Sequence, residues 1–408
     1  MSWIENSVIY QILVDRFSTG TSLIDNHLSS KTSKTWMGGN LTGVIRKIKY
    51  LKKLGVNAVY LTPVLKTKEY HGYHVTDFYK IDDHFGNKKI FEKLVNNLHK
   101  NKIKIIFDMV LNHCSVYHPF FQSAIKNKKS KYVDWFVFNR WPDDYMSFFD
   151  FKEIPKFNFK NREVVEYLIQ VSEYWVEKFN LDGYRMDHAV GPPIQFWRKL
   201  KKRLKKINKN IILIAEAGYA RGLTCGKPFW KIENLKTTWT VKSFTKKEIN
   251  LLVGTIKNPS YENVIAINEL WMKKLEPYFD AFMDFAFRDI VWWYAEGGIS
   301  KEKFEELMSK HYKKFKSELI SLLSNHDFNR FLYIFGKKKT IEFSKIQFSL
   351  DHPALIYYGE ESGLTQNNKV LNSVPYSDTE ARRFMNWNSI DEKLFNHYKK
   401  LIESKLSS

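Results

Sequence analysis

Short, uninterrupted apolar segments alternate along this chain with segments in which apolar residues recur at helical spacing. The apolar segments are rich in β-branched residues and stop at polar or turn residues, which is typical of strands buried on both faces. Residues 56–61, for example, end at Thr62 and Pro63. The predicted strands are residues 8–14, 56–61, 103–110, 183–186, 211–215, 281–285, 318–323 and 354–358.

The intervening segments predict amphipathic helices. Residues 41–54 repeat apolar side chains at helical spacing, and Gly55 follows as the terminating residue. The pattern amounts to eight β–α units with strands suited to a parallel sheet, which predicts an α/β fold in the form of a closed (β/α)8 TIM barrel. A doubly wound sheet would need fewer strands and a glycine-rich first turn, which the sequence lacks. The other predicted helices are residues 90–100, 163–179, 194–207, 301–314, 339–350 and 390–403.

Two connections between predicted strands are too long to be simple loops. Residues 113–159 follow the third strand and are rich in aromatic side chains, which predicts a small inserted lobe. The barrel is then expected to comprise residues 1–112 and 160–408. Residues 218–277 follow the fifth strand and contain helical pieces. Both connections follow C-terminal strand ends, where barrel enzymes place their active sites. The aromatic residues of the first connection include Trp135, Phe136, Phe138, Trp141, Phe148, Phe149 and Phe151.

Composition restricts the class of protein further. The chain has 408 residues, of which 44% are hydrophobic, and a formal net charge of +21. This charge raises nucleic acid as a partner, but the lysines lie on predicted helix faces without any nucleic-acid motif. Cys114 and Cys225 form no paired pattern, and no apolar stretch of about 18 residues is present. We therefore expect a cytoplasmic protein that binds neither nucleic acid nor membrane, while its oligomeric state stays open.

Polar and ionisable residues collect at the C-terminal ends of four predicted strands. In a parallel barrel these ends meet at one mouth, so the side chains are expected to converge. Arg185 and Asp187 are two positions apart, and strand alternation turns both to the same side. Converging carboxylates repel each other and must be held by the fold, which favours a functional site. The residues concerned are Asp108, Asn112, His113, Arg185, Asp187, Glu216, Asn325, His326 and Asp327.

Three of these carboxylates suit the cleavage of a glycosidic bond with retention of configuration. That reaction needs one carboxylate to attack the anomeric carbon and one carboxylic acid to protonate the leaving oxygen. Asp187 suits the attack because Arg185 is expected to keep it ionised. Glu216 follows two apolar residues, so it is expected to hold its proton near neutral pH. Asp327 is then expected to orient sugar hydroxyls and to stabilise positive charge in the ring.

Four segments of the chain resemble the signature segments of the α-amylase family of retaining glycoside hydrolases. Residues 183–187 match the segment that holds the nucleophile, and residues 214–216 match the one that holds the acid/base. Residues 324–327 match the segment of the third aspartate, and residues 108–113 match the remaining one. The resemblance covers nearly the whole chain, because it continues through residues 8–17, 54–63, 71–73, 357–361 and 383–387.

The resemblance implies roles for the residues around the three carboxylates. Tyr73 is expected to stack on the sugar in the cleaved position, and His113 and His326 are expected to hydrogen-bond its hydroxyls. Within the family, the chain looks most like neopullulanases, cyclomaltodextrinases and maltogenic amylases. The implied catalytic residues are Asp187, Glu216 and Asp327, and the implied substrate-binding residues are Tyr73, Asp108, His113, Arg185, His326 and Arg330.

The chain departs from the family at its calcium sites. Many members follow the nucleophile with a Lys-His pair, whereas residues 188–191 here are His-Ala-Val-Gly. Cyclodextrin- and pullulan-degrading relatives bind calcium in an Asn- and Asp-containing loop, which residues 18–21 replace with Ser-Thr-Gly-Thr. Because calcium prefers several oxygen ligands with carboxylates among them, we expect neither a metal nor another cofactor. A residual calcium site is left open at Asn112 with Asp143 or Asp144.

The resemblance implies a retaining hydrolase that cleaves α-glucosidic, mainly α-1,4, bonds in maltodextrins or related α-glucans. A transglycosylase that uses the same covalent intermediate is the alternative, and the sequence does not separate the two. A catalytically silent binding protein is expected to lack a carboxylate, and a nucleic-acid binder rests on charge alone. The chain starts near the first strand and stops soon after the last helix. The C-terminal β-sandwich that is usual in the family is therefore expected to be absent, which suits an intracellular enzyme for short maltodextrins.

Overall fold

Eight parallel strands close into a barrel in the computed structural model, which describes residues 2–218, 235, 238–371 and 373–407. Each strand pairs with its neighbour in chain order, and the last strand pairs with the first. The predicted (β/α)8 barrel is therefore confirmed. The strands are β1 (Val8–Ile12), β2 (Ala58–Leu61), β3 (Lys104–Met109), β4 (Gly183–Met186), β5 (Ile212–Ala215), β6 (Ala281–Met283), β7 (Glu318–Leu322) and β8 (Ala354–Tyr357).

Alternate strand residues face the inside of the barrel and the surrounding helices, as the two-residue period of a strand requires. Ile9 and Ile106 belong to a buried cluster built from the barrel strands. Their sequence neighbours Val8 and Phe107 belong to a second buried cluster, which includes side chains of the helices. Both faces of each strand are thus buried, which explains why the strand segments are apolar without interruption.

The predicted helices are present, with differences at their ends, but the helices over residues 22–28, 119–126 and 285–295 were not predicted. Gly55 ends the helix over residues 41–54 with a φ of 103°, a conformation that glycine adopts without strain. The prediction for residues 339–350 covers only the second part of a longer helix, which is broken at Gly336 with a φ of 75°. The helices are α1 (Ser22–Leu28), α2 (Leu41–Leu54), α3 (Lys88–Lys100), α4 (Pro119–Lys126), α5 (Arg162–Phe179), α6 (Ile194–Ile207), α7 (Lys246–Lys257), α8 (Tyr261–Leu275), α9 (Phe285–Ala295), α10 (Lys301–Tyr312), α11 (Phe331–Phe348) and α12 (Glu392–Ser407).

The aromatic connection after β3 contains helix α4 and two antiparallel hairpins. Phe120 stacks on Tyr132 with ring centroids 4.1 Å apart, and Trp135 meets both rings edge-on. Part of the aromatic content therefore packs within this connection. The division of the chain into a barrel of residues 1–112 and 160–408 and a lobe of residues 113–159 stays a prediction. The hairpins pair Phe138–Arg140 with Asp144–Tyr145 and Ser147–Phe148 with Phe151–Pro155.

The long connection after β5 is described only in part, and Cys225 lies outside the described residues. The described portion includes helices α7 and α8. Cys114 is buried and takes part in no disulfide. Over the described ranges, no helix combines the length and the apolar character needed to cross a membrane.

Candidate active site

The C-terminal strand ends bring the predicted carboxylates to one mouth of the barrel. Asp108, in β3, lies directly opposite Arg185 of β4 in the barrel register. Asp187 and Glu216 are the first residues after β4 and β5, and the amide of each donates to a carbonyl of the preceding strand at 3.1 Å. The parallel ladder thus continues one residue beyond each strand. Asp327 follows in the connection after β7, so four of the eight strand ends contribute one of these acidic groups.

Arg185 is the centre of this cluster. Its Nη1 donates to Oδ1 of Asp108 and to Oδ1 of Asp187, each at 2.9 Å. Its Nη2 lies 2.5 Å from Oε1 of Glu216. One buried guanidinium therefore orients three carboxylates that come from three neighbouring strands. The contact between Arg185 and Asp187 agrees with the strand alternation seen in the sequence, while the other two contacts depend on how the strands pair.

The carboxylates differ in how open they are to solvent. The Asp108 side chain is 0% exposed, and that of Asp187 is 10% exposed. The Glu216 and Asp327 side chains are 21% and 25% exposed. Asp108 therefore forms the floor of the site in this conformation, and the other three are accessible from the mouth.

Burial and mutual repulsion raise the proton affinity of the cluster. Burial raises the pKa of Asp187 well above its usual range, and the nearby Glu216 adds to the increase. Arg185 lowers this pKa but does not outweigh burial, so the expectation that Arg185 by itself keeps Asp187 ionised is wrong. Burial also raises the pKa of Glu216, and the nearby Asp327 adds to the increase. Since one guanidinium cannot balance three negative charges in a buried site, this cluster is built to retain a proton.

Tyr73 and His326 lie against each other beside the carboxylate cluster. The Tyr73 ring lies parallel to the imidazole of His326, with centroids 5.4 Å apart and an interplanar angle of 3°. The Tyr73 hydroxyl is 2.8 Å from Nε2 of His326 and 2.9 Å from Oδ2 of Asp108. Asp108 also accepts from the Tyr60 hydroxyl at 2.6 Å. The structure thus brings Tyr73, His326 and Asp108 together, as the sequence predicts.

His113 and Arg330 have other surroundings. Nδ1 of His113 accepts from the side-chain amide of Asn112 at 3.1 Å, and the imidazole centroid lies 4.9 Å from that of the Phe148 ring. Burial lowers the pKa of His113 to about 3, so the imidazole is neutral. Arg330 is fully buried, and its guanidinium lies 4.4 Å from the centroid of the Tyr357 ring. Its Nη1 donates to the backbone carbonyl of Tyr358 at 2.9 Å. These contacts of Arg330 are structural, and its role in sugar binding stays a prediction.

The residues considered for calcium lie in different environments. Asn112 is fully buried beside His113, whereas Asp143 is exposed. The Asp144 side chain is 45% exposed and lies 3.5 Å from Nζ of Lys152. Nowhere in the described part of the chain do three or more His, Cys, Asp or Glu side chains form a group that could hold a metal ion.

Comparison with known proteins agrees with this geometry. The family model described as "Alpha amylase, catalytic domain" matches residues 11–405. The chain belongs to the α-amylase family. Alpha-amylase 2 of Dictyoglomus thermophilum is 32% identical over 409 residues, which cover 99% of this chain and 64% of that protein. The intracellular maltogenic amylase of Bacillus subtilis is 28% identical over 390 residues, which cover 90% of this chain and 57% of that protein.

A solved structure of a cyclomaltodextrinase is similar over the whole chain. Its TM-score is 0.78 at 26% sequence identity, and the match covers 100% of this chain and 64% of that one. The chain thus spans less than two thirds of the length of the relatives described here. What the chain shares with them is the α-amylase family fold.

Two side chains of this α-amylase family site are absent from the sequence-based prediction. Nη2 of Arg382 donates to Oδ1 of Asp327 at 3.1 Å, and its Nε donates to the backbone carbonyl of His326 at 2.8 Å. Arg382 therefore holds the carboxylate of Asp327, as Arg185 holds those of Asp187 and Glu216. It adjoins the matched residues 383–387, but nothing in the sequence shows which of the two neighbouring arginines turns inward.

His188 is the second such residue. Its backbone N–H donates to Oε2 of Glu216 at 2.9 Å, and its φ of 43° lies in the left-handed region that is rare for a residue with a side chain. The imidazole is held edge-on against the rings of Phe148 and Phe149, with centroids 4.7 and 5.3 Å away. The second hairpin after β3 thus supports the turn that positions the acid/base carboxyl. In the sequence, His188 is visible only as the first residue of the His-Ala-Val-Gly segment that lacks the Lys-His pair.

Proposed function

We propose that this protein is a retaining glycoside hydrolase that cleaves α-glucosidic, mainly α-1,4, bonds in maltodextrins or related α-glucans. One observation carries the proposal: Asp187 and Glu216 contact the two terminal nitrogens of one buried guanidinium at the barrel mouth. Double displacement needs two carboxyl groups only about 5 Å apart, and two groups that share one guanidinium are held at short range. The names of the relatives, α-amylase, maltogenic amylase and cyclomaltodextrinase, support the class of substrate.

In the first step, the proton that the cluster retains is on Glu216, and the ionised Asp187 attacks the anomeric carbon of the sugar. Its Oδ1 is held by Arg185, so Oδ2 is the oxygen left to form the new bond. Glu216 donates its proton to the glycosidic oxygen as the bond between that oxygen and the anomeric carbon breaks. The leaving sugar departs with a free hydroxyl, and the remaining sugar is joined to Asp187 as an ester.

In the second step, the ionised Glu216 accepts a proton from water. The water oxygen bonds to the anomeric carbon from the side that the leaving group occupied, and the ester bond to Asp187 breaks. Two inversions restore the α configuration. Asp327, held by Arg382, is expected to stabilise the positively charged ring in both transition states, and the Tyr73 ring is expected to stack on the sugar.

The same ester also supports transfer to a sugar hydroxyl in place of water. Hydrolysis and transfer share Asp187, Glu216 and every step up to the second attack, so only the acceptor differs. Product analysis on maltoheptaose, with and without added maltose or glucose, separates the two. Products longer than the substrate would assign the protein to the transferases.

We further propose that activity needs no metal and that the protein works in the cytoplasm. The first proposal is supported by the sequence at residues 18–21 and 188–191, which lacks the acidic and Lys-His ligands of family calcium sites. The second is supported by the name of the Bacillus subtilis relative, an intracellular maltogenic amylase. Cell fractionation tests the location.

Carboxamide substitutions test the catalytic assignment. Asp187→Asn and Glu216→Gln are expected to lower turnover of maltoheptaose by several orders of magnitude while the protein keeps its fold. Asp83→Asn is a matched control, because the Asp83 side chain is 86% exposed and pairs with Lys66. Either catalytic variant with more than about a tenth of the wild-type rate would refute the assignment.

The stereochemistry of the product is an independent test. Proton NMR during the first turnovers is expected to show the new reducing end in the α form, because double displacement inverts the anomeric carbon twice. A β product would refute the mechanism even if both variants were inactive.

A further inference from the structure

Gln11 is a buried polar residue of the barrel that the proposed reaction does not use. It lies in β1 with a fully buried side chain, although strand positions around it are apolar. Its Nε2 is 2.8 Å from Nδ1 of His326, across a separation of 315 residues. The other ring nitrogen of His326 faces the Tyr73 hydroxyl at 2.8 Å. Gln11 therefore touches the side of His326 that is turned away from Tyr73.

The protons along this chain of contacts can be assigned one after another. Asp108 accepts from Arg185 with both oxygens and from the hydroxyl of Tyr60, so it acts as an acceptor. The Tyr73 hydroxyl has a single proton, and it donates this proton to Asp108 at 2.9 Å. The oxygen of Tyr73 can then only accept from Nε2–H of His326.

The state of the other ring nitrogen follows from this assignment. A neutral imidazole carries one proton, so a protonated Nε2 leaves Nδ1 of His326 as an acceptor. The amide nitrogen of Gln11 supplies the donor that Nδ1 requires. The opposite tautomer would require the Gln11 amide to turn its oxygen toward Nδ1–H, and it would draw the Tyr73 proton away from Asp108.

We propose that Gln11 is a positioning residue that fixes the Nε2–H tautomer of His326. This inference deepens the proposed function, on which its catalytic part rests. With the tautomer fixed, His326 directs an N–H toward Tyr73 and toward Oδ2 of Asp327, which lies 3.3 Å from Nε2. A sugar hydroxyl that binds there meets a neutral donor, and Tyr73 keeps its bond to Asp108.

Nitrogen NMR of the resting enzyme tests the tautomer without any substrate. The His326 signals of 15N-histidine-labelled protein are assigned by their loss in His326→Gln. The wild type is expected to show Nε2 protonated and Nδ1 unprotonated. In Gln11→Met, which keeps the length of the side chain but offers no N–H donor, the Nδ1–H form is expected to appear as a substantial fraction. Gln11→Leu serves as a second variant if Gln11→Met does not fold.

Two results would overturn the inference. One is a wild-type enzyme with His326 protonated at Nδ1. The other is a Gln11 variant that folds and keeps the wild-type tautomer, which would make Gln11 a space-filling residue only. Because this readout uses no substrate, it stays valid even if no glucan is cleaved, so failure of the proposed function and failure of the inference are distinguishable.

Kinetics then tests the catalytic consequence. Gln11→Met is expected to lower kcat/KM on maltoheptaose by about ten- to a hundredfold, mainly through kcat, because a misplaced donor is felt most in the transition state. Gln347→Leu is a matched control, since Gln347 is another buried glutamine, whose Nε2 donates to two backbone carbonyls at 2.9 and 3.0 Å. This control should reduce stability and leave the His326 tautomer and kcat/KM unchanged. An equal fall in kcat/KM for both variants would show that Gln11 acts only through stability.

Discussion

His311 connects the stability of the barrel to pH. This fully buried residue of α10 contacts both oxygens of Asp284 through Nε2 and Oε1 of Glu269 through Nδ1, each at 3.0 Å. Asp284 caps α9 directly after β6, and Glu269 belongs to α8. The imidazolium thus ties three helices together near one end of the barrel. The substitution His311→Gln removes the positive charge of the imidazolium and leaves the carboxylates of Asp284 and Glu269 without a cationic partner at this position.

The pKa of His311 sets the size of the effect. Burial by itself lowers this pKa, but Asp284 and Glu269 outweigh burial and raise it from 6.5 to about 9. That difference corresponds to about 3 kcal/mol of folding free energy. Because the pKa is higher in the folded state, the stabilisation is complete below pH 6.5 and is lost as the pH rises toward about 9.

Chemical unfolding of the wild type and His311→Gln at several pH values measures the effect. We expect the variant to be less stable by about 3 kcal/mol at pH 6, and the difference to shrink until little of it remains above pH 9. Tyr312→Phe is the matched control, because the Tyr312 hydroxyl donates to the same Asp284 at 3.1 Å. Its loss should cost about 1 kcal/mol at every pH in this range. A difference between wild type and His311→Gln that stays constant from pH 6 to 9.5 would refute the reasoning.

Three further outcomes are expected. Phe148→Ala should lower kcat on maltodextrins by about tenfold with little change in Tm. The reason is that His188 loses one of its two aromatic contacts, so its backbone N–H is less well placed to hold Glu216. An unchanged kcat would show that this contact is dispensable. Trp141→Ala should lower Tm, because the Trp141 indole N–H donates to the backbone carbonyl of Ala124 at 3.0 Å. The ratio of KM values for maltoheptaose and maltotriose should stay unchanged. A rise of KM for maltoheptaose alone would place the indole in the substrate cleft. EDTA should leave activity and Tm nearly unchanged, and a fall in Tm of more than about five degrees would reveal a structural metal.

The order of strands and helices was open to sequence reasoning because it depends on local patterns. Apolar segments such as residues 56–61 are buried on both faces, and a chain with eight of them separated by amphipathic segments has few other ways to cover them. The same patterns place Asp187 and Glu216 just beyond strand ends. Their convergence at one mouth then follows from the parallel barrel, whatever the details of packing.

The partners of each side chain were decided by the tertiary structure alone. Arg185 holds Asp108 because the register of β3 and β4 sets them opposite each other, although 77 residues separate them along the chain. Gln11 reaches His326 only because barrel closure pairs β8 with both β1 and β7 and so brings the segment after β7 within reach of β1. Strand periodicity shows which face a residue takes, but it contains no information on which distant residue lies across from it.

The two arginines near Asp327 show the same limit. Arg330 is close to Asp327 in sequence, and Arg382 is 55 residues away. In the folded protein, Arg330 is turned against the Tyr357 ring, and Arg382 binds the carboxylate. A buried guanidinium goes where acceptors and aromatic faces replace its lost water, and those groups come from other parts of the chain. The sequence by itself therefore determined which groups gather at the mouth, and only the tertiary structure decided which of them touch.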